Sequence, residues 1–161
     1  MVNRAVSGDA MTSDIILKRK VFAYITHQCR LLVFRHVDAP EAGIQVPAGT
    51  IESGESPDSA VIREAREETG LADLALVRFL GEAVYTMHDA PEPCTPVEWH
   101  HRFFFHLRCL EEPPPAWRHA ELHGPDGAAY PIAFEFFWVE LADGVPQLVA
   151  GHEQFVPLLK C

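Results

Sequence analysis

Lys20–Thr26 reads KVFAYIT, a run of β-branched and aromatic residues that predicts a strand. HQCR follows as a turn and LLVFRH, Leu31–His36, as a second strand, so the two form a hairpin. VDAPEAG, Val37–Gly43, is loop by its Pro and Gly, and IQV, Ile44–Val46, is a short strand stopped by Pro47. A helix is expected from about Pro57 to Thr69. Ser56 is its N-cap, Pro57 suits the first helical position, Asp58 complements the dipole, and Gly70 closes it with a left-handed cap. Ala60, Val61, Ile62 and Ala65 supply its apolar side. Leu74–Met87 reads as a strand bent near Gly81, and HDAPEPCTPVE as a loop.

Trp99–Cys109 alternates cleanly. Trp99, His101, Phe103, Phe105 and Leu107 make the apolar face expected on a core. His100, Arg102, Phe104, His106 and Arg108 make a face expected to line a wet cleft or stand exposed. Glu111–Pro131 is expected to be one long loop, and Ile132–Leu141 a strand. PQLVAGHEQFVPLLK is expected to hold a short helix interrupted at Gly151 or Pro157. Strands with interspersed helices predict an α/β fold, a mixed sheet covered by helices.

At 161 residues and 48% apolar, the chain has the bulk of one domain with one sizeable core. Residues 1–13 read as a flexible polar lead-in without a signal peptide's charge and apolar pattern, and 14–161 as the domain. No apolar run reaches membrane-spanning length, so no membrane partner is expected. Cys29, Cys94, Cys109 and Cys161 show no paired spacing and fit reduced thiols in a cytoplasm. A net charge of −10 argues against duplex nucleic acid, whose phosphates want a basic face. It leaves room for a small phosphorylated ligand if a divalent cation sits between ligand and protein.

Six carboxylates stand within Gly49–Leu71: Glu52, Glu55, Asp58, Glu64, Glu67 and Glu68. Glu64 lies three and four residues before Glu67 and Glu68, so the three crowd one edge of the helix at ~0.2–0.5 kcal/mol per like pair. Arg63 and Arg66 relieve part of that crowding, and REAREE by itself reads as a solvated face. The frame around it says more. Gly49, five residues, Glu55, seven residues, then Arg63-Glu64-Ala65-Arg66-Glu67-Glu68-Thr69-Gly70-Leu71 resembles the Nudix box at every fixed position.

That resemblance implies an α/β/α sandwich and a hydrolase that uses Mg2+ or Mn2+ to cleave the diphosphate linkage of a nucleoside diphosphate derivative. It implies metal ligands at Glu67 and Glu68, with Glu64 in the cluster and the backbone carbonyl of Ala48 just before the box. It implies a structural pair of Glu55 and Arg63, with Gly49 and Gly70 as fixed box positions. The general base would be Glu64, Glu121 or Glu135, with Glu98 a weaker candidate. Arg35 resembles the basic residue that contacts substrate phosphates, and Trp99, Phe22, Tyr24 and Trp138 are candidates for stacking on a base. A small nucleotide-type substrate is the expected partner, and a homodimer is the assembly the reading allows. A Nudix-fold binding or regulatory domain that has lost catalysis is the alternative; it would be expected to lose a box glutamate, and none is lost. An isoprenoid diphosphate isomerase would need active-site residues beyond a typical box.

Overall fold

The computed structural model describes residues 15–87, 97–121 and 131–161. The strands are β1 (Ile15–His27), β2 (Arg30–His36), β3 (Ala48–Thr50), β4 (Leu74–Met87), β5 (Val97–Cys109), β6 (Ala116–Glu121) and β7 (Ile132–Glu140). One α-helix is described, α1 (Pro57–Thr69), with short 3-10 turns at Pro40–Ala42 and Val156–Leu158. The strands form one sheet in the order β4-β5-β1-β2-β7-β6, with β3 paired to β1. β1 runs parallel to β5 and the other pairs are antiparallel, so the expected α/β fold with a mixed sheet is present.

The β1–β2 hairpin turns on Gln28 and Cys29, both at positive φ, which matches the right-handed twist of the strands. β1 and β2 pair only at Thr26↔Leu31 and His27↔Arg30. Beyond that point they part, and β3 takes the freed edge of β1 through Lys20↔Thr50, Val21↔Gly49 and Phe22↔Ala48. The opening between β1–β3 and β2–β7 is where the carboxylates collect.

Alternate residues of β1 face different layers. Val21, Ala23 and Ile25 join Phe105, Leu107, Phe136 and the helix residues Ala60, Val61 and Ala65 in one buried cluster. Phe22 and Tyr24 join Leu31, Val33, Val46, Phe104 and Leu148 in another, under Phe155, Val156 and Leu159 of the C-terminal segment. A fully buried Val, Leu, Ile or Phe of this kind is worth ~1.5–3 kcal/mol, against ~0.2–1 for an exposed ion pair, so Val61 and the apolar side chains it meets contribute more to holding α1 on the sheet than an exposed charge pair would.

Four expectations are corrected. Both faces of β5 are covered: His100, Arg102, Phe104 and His106 are buried, while Trp99 is exposed, because the C-terminal segment caps the face expected to be wet. Ile44 and Gln45 make isolated bridges to Leu148 and Phe34, and the short strand is β3 instead. The region expected to be one long loop contains β6, an edge strand whose Trp117 stacks on Phe136 at 5.2 Å. The C-terminal segment forms turns and a 3-10 turn that includes Pro157, in place of the expected helix. The expected lead-in over residues 1–13 and the cysteine Cys94 lie outside the described residues.

That segment docks through polar contacts as well. Tyr24 Oη donates to the His152 carbonyl at 2.6 Å and accepts from the Phe155 N–H at 3.1 Å. Gly81 has no Cβ because the Phe155 ring occupies its place, 2.4 Å away. His152 Nδ1 accepts from the Val46 N–H at 3.3 Å, which puts the ring proton on Nε2.

Burial first, and the Arg102 charge second, push the His152 pKa down to about 4. An unfolded histidine takes up its proton near 6.5 while the folded one stays neutral, so stability falls as pH drops from about 6.5 through about 4. Urea midpoints measured between pH 7 and pH 4 should fall with pH, and less steeply in His152→Gln. Equal slopes would contradict this burial.

Candidate active site at the split in the sheet

The helix carrying the carboxylates is fixed at both ends. Ser56 Oγ accepts from the Ser59 N–H at 3.2 Å, Pro57 opens the first turn, and Gly70, in the left-handed conformation, donates its N–H to the Arg66 carbonyl. Trp117 Nε1 donates to the Thr69 carbonyl at 2.8 Å, and His119 Nε2 lies 3.0 Å from the Glu67 carbonyl, so β6 holds the last turn.

Arg63 ties the helix to the preceding loop. Nε and Nη2 donate in parallel to Glu55, both at 2.8 Å, and Nη2 also reaches the Thr50 carbonyl at 3.0 Å. Nη1 donates to Glu64 at 2.9 Å and Glu67 at 3.2 Å. The Arg63 hydrogen bond first, and the Glu52 N–H second, hold the Glu55 carboxyl at about 2. Arg63 is pushed upward chiefly by Glu55. Glu55 and Arg63 thus form the expected contact, and Glu64 and Glu67 share its cation.

Glu64 and Glu68, one turn apart, face β3. Thr50 N–H donates to Glu64 Oε1 at 3.1 Å, and Ala48 N–H donates to Glu68 Oε2 at 2.9 Å. Gly49 lies between them, and a Cβ built on it would stand 1.9 Å from Glu64 Cδ. Burial is the largest effect on Glu64 and raises its pKa, with Arg63 pulling the other way. The pairing register makes Phe22↔Ala48 a pair without mutual backbone hydrogen bonds, so the Ala48 N–H and C=O both point off β1.

A cleft of about 300 Å³ opens there, lined by Lys20, Gln45, Ala48, Gly49, Thr50, Glu64 and Glu68. Phe34, His36, Ile132 and Phe134 complete its far wall. The His36 and Phe134 rings meet edge to face at 5.0 Å.

The other expected residues fall elsewhere. Glu67 is 57% exposed on the outer side of the helix, in contact with Arg63. Arg35 and Glu135 are cross-strand partners, joined at 2.6 and 2.7 Å, and their alternation with Phe34 and Phe134 puts them on the sheet face away from α1. The Glu121 backbone lies opposite Ile132 at the cleft margin, and its side chain is outside the described residues. Glu98 is held by Lys18 and His100. Phe22, Tyr24, Trp99 and Trp138 do not line the cleft, and the aromatic wall belongs instead to Phe34, His36 and Phe134. Sequence reading missed that wall and Lys20. The only available signals were the alternation in the second strand and the basic run KRK at the start of the first.

Among the described residues no three histidines, cysteines or carboxylates converge on one point as a closed metal cage. Two glutamates and an outward carbonyl beside an open cleft are hard oxygen donors. They fit a cation that keeps waters and takes further oxygens from a ligand.

The fold and cleft define a class of α/β protein in which a capped acidic helix lies over a split mixed sheet. The NUDIX domain family matches residues 17–159, and the chain belongs to that family. The ADP-sugar pyrophosphatase of Mus musculus is 42% identical over 69 residues, covering 40% of this chain and 28% of that protein. The RNA pyrophosphohydrolase of Rhodospirillum rubrum is 40% identical over 75 residues, covering 46% of this chain and 43% of that protein. The chain thus spans less than half the length of these relatives. A MutT NUDIX hydrolase from Burkholderia pseudomallei shares the fold at a TM-score of 0.53 and 24% identity, over 89% of this chain and 98% of that one. An ADP-ribose pyrophosphatase from Streptococcus suis shares it at 0.51 and 22%, over 88% and 87%. Among the described residues no helix is long and apolar enough to cross a membrane.

Glu55 has its carboxyl depressed from the usual 4.5, so its contribution to stability is present above pH 4.5 and lost as pH falls through about 2. Glu55→Gln should flatten the stability profile over that window and speed hydrogen exchange in residues 50–56. An unchanged profile would contradict the strut.

Proposed function

We propose that the chain hydrolyses the diphosphate linkage of a small nucleoside diphosphate derivative with Mg2+ or Mn2+. The observation that carries this reading is the placement of Glu64, Glu68 and the Ala48 backbone on one wall of a cleft whose opposite wall is aromatic. Glu68, Glu64 and the Ala48 carbonyl would hold the cation, with Glu67 swinging in from Arg63 as the third box glutamate. When bound, the cation supplies charge neutralisation to the diphosphate and a lowered pKa to water.

Glu64 is assigned as general base, because it lies in the cleft with its carboxylate placed against β3 by the Thr50 N–H. A water oxygen bonds to phosphorus, the bridging P–O bond breaks, and the water's proton passes to Glu64. The products are a nucleoside monophosphate and a phosphate or phosphomonoester. Glu135 does not serve, since Arg35 holds it on the other sheet face; Glu121 takes the role if Glu64 does not. Phe34, His36 and Phe134 would give an apolar, aromatic surface to the nucleoside end. A net charge of −10 favours a small substrate over a long RNA, whose backbone the chain would repel.

A panel of ADP-ribose, nucleotide sugars, dinucleoside polyphosphates and 5′-triphosphorylated RNA, with Mg2+ and Mn2+ and product identification, tests the reading. Turnover of a small diphosphate is expected, with Glu67→Gln and Glu68→Gln weakening Mn2+ binding. No turnover, with Mn2+ affinity unchanged in both variants, would overturn it. Glu64→Gln should lower kcat by about 10²–10⁴-fold; full turnover would move the base to Glu121.

Gly49→Ala tests the cradle independently. The added methyl would displace the Glu64 carboxylate, so Mn2+ affinity and kcat/KM should fall about 10–100-fold with the circular dichroism spectrum retained. Parent-like values would show that Glu64 is not held where the cleft needs it.

A further inference from the structure

Five side chains on one sheet face meet in two rows where the cleft reaches β1. Thr50, Lys20 and Arg102 are cross-strand partners in a row over β3, β1 and β5, and Lys18 pairs with His100 in the next row. Lys20 and Arg102 therefore stand side by side with the same charge, an arrangement that destabilises a sheet unless something offsets it. Arg102 is 4% exposed. Its guanidinium lies between the Phe22 and Tyr85 rings, 5.0 and 3.8 Å from their centroids, and Nη1 donates to the Ala150 carbonyl. Its buried Nε has no hydrogen-bond partner among the described residues. Glu98, the carboxylate at this strand end, is engaged by Lys18 at 3.0 Å and by His100.

The row thus carries two cations; Glu98 is committed to Lys18 and His100, and Glu64, the stronger carboxylate charge acting on Lys20, is committed to Arg63. Arg102 is boxed by rings and backbone and has nowhere to move. Lys20 has a flexible stem and turns away from it. Its Nζ donates to Thr50 Oγ1 at 2.8 Å, a neutral acceptor on β3 beside the Glu64 contact. Among the described residues that line the cleft, Lys20 is the one lysine or arginine. Burial first and the Lys18 charge second lower its pKa, so an anion arriving beside it would relieve both effects.

We infer that Lys20 is the protein cation that receives the substrate's phosphate oxygens in the cleft, its ammonium directed there by the buried guanidinium of Arg102. The inference rests on the hydrolase reading for the identity of the phosphate, and on the row itself for the anion site. It moves substrate binding from Arg35, which is occupied by Glu135, to a residue on the central strand. A phosphate oxygen replaces the Thr50 hydroxyl as the partner of Nζ and gains a charge-assisted hydrogen bond in exchange for a neutral one.

The test measures inorganic pyrophosphate binding to the whole chain by calorimetry at fixed Mg2+ and about 0.1 M salt, alongside steady-state kinetics on the best substrate. Lys20→Met should weaken pyrophosphate binding at least about tenfold and raise KM more than it lowers kcat. Lys20→Arg should restore most of both, which a purely structural role for the side chain would not require. Pyrophosphate binding by Lys20→Met equal to the parent's would overturn the inference, whatever the hydrolysis assays show. A binding loss in Lys20→Met, in a chain that hydrolyses nothing in the panel, would leave the inference standing and remove the hydrolase reading.

Discussion

The guanidinium of Arg63 is the contact on which the site geometry depends. One planar group donates to both oxygens of Glu55, to the Thr50 carbonyl, to Glu64 and to Glu67. Isolated exposed ion pairs contribute little to stability, and the helix is held to the sheet by its apolar face. What Arg63 supplies is position. A bidentate fork fixes direction as well as distance, so the loop after β3 cannot slide along the helix. With that loop fixed, Ala48 and Thr50 present their N–H groups to Glu68 and Glu64, and the space left by Gly49 receives the Glu64 carboxylate. The same cation offsets the repulsion between glutamates that would otherwise push them apart.

The second requirement is the parting of the hairpin. β1 and β2 pair for two residues after the turn and then diverge, which admits β3 and opens the cleft. A continuous hairpin would have closed that space with backbone hydrogen bonds. Both layers of the sheet support the gap: α1 and its apolar face on one side, the C-terminal segment docked on Tyr24 and His152 on the other. The acidic wall from the helix, the aromatic wall from β2 and β7, and Lys20 from β1 meet because three pieces of distant sequence border one gap.

Local signals were legible in the sequence and long-range ones were not. The helix bounds follow from Ser56, Pro57 and Gly70, whose capping chemistry acts within one turn, and the structure has the same bounds. The box frame sets Glu55 eight residues before Arg63, and the segment between them brings the two into contact. Arg35 and Glu135 are a hundred residues apart, and their pairing depends on the β2–β7 register, which no local pattern encodes. The second face of β5 read as wet because His100, Arg102, His106 and Arg108 are polar. Three of those four are buried, and Arg102 and His106 lie against segments from the far end of the chain. The strand β6 was hidden by the prolines before it, since Trp117 and His119 gain their meaning only against Phe136 and the end of α1.

The central claim is that Glu64, Glu68 and Ala48 form the cation-holding wall of a hydrolytic cleft. Its most direct measurement is the anomalous scattering of crystals soaked with Mn2+ and a non-hydrolysable ADP-ribose analogue. A manganese peak is expected in contact with the Glu64 and Glu68 carboxylates and the Ala48 carbonyl, with the analogue's phosphates between it and Lys20. A peak on other residues, with this cleft empty of both metal and analogue, would contradict it.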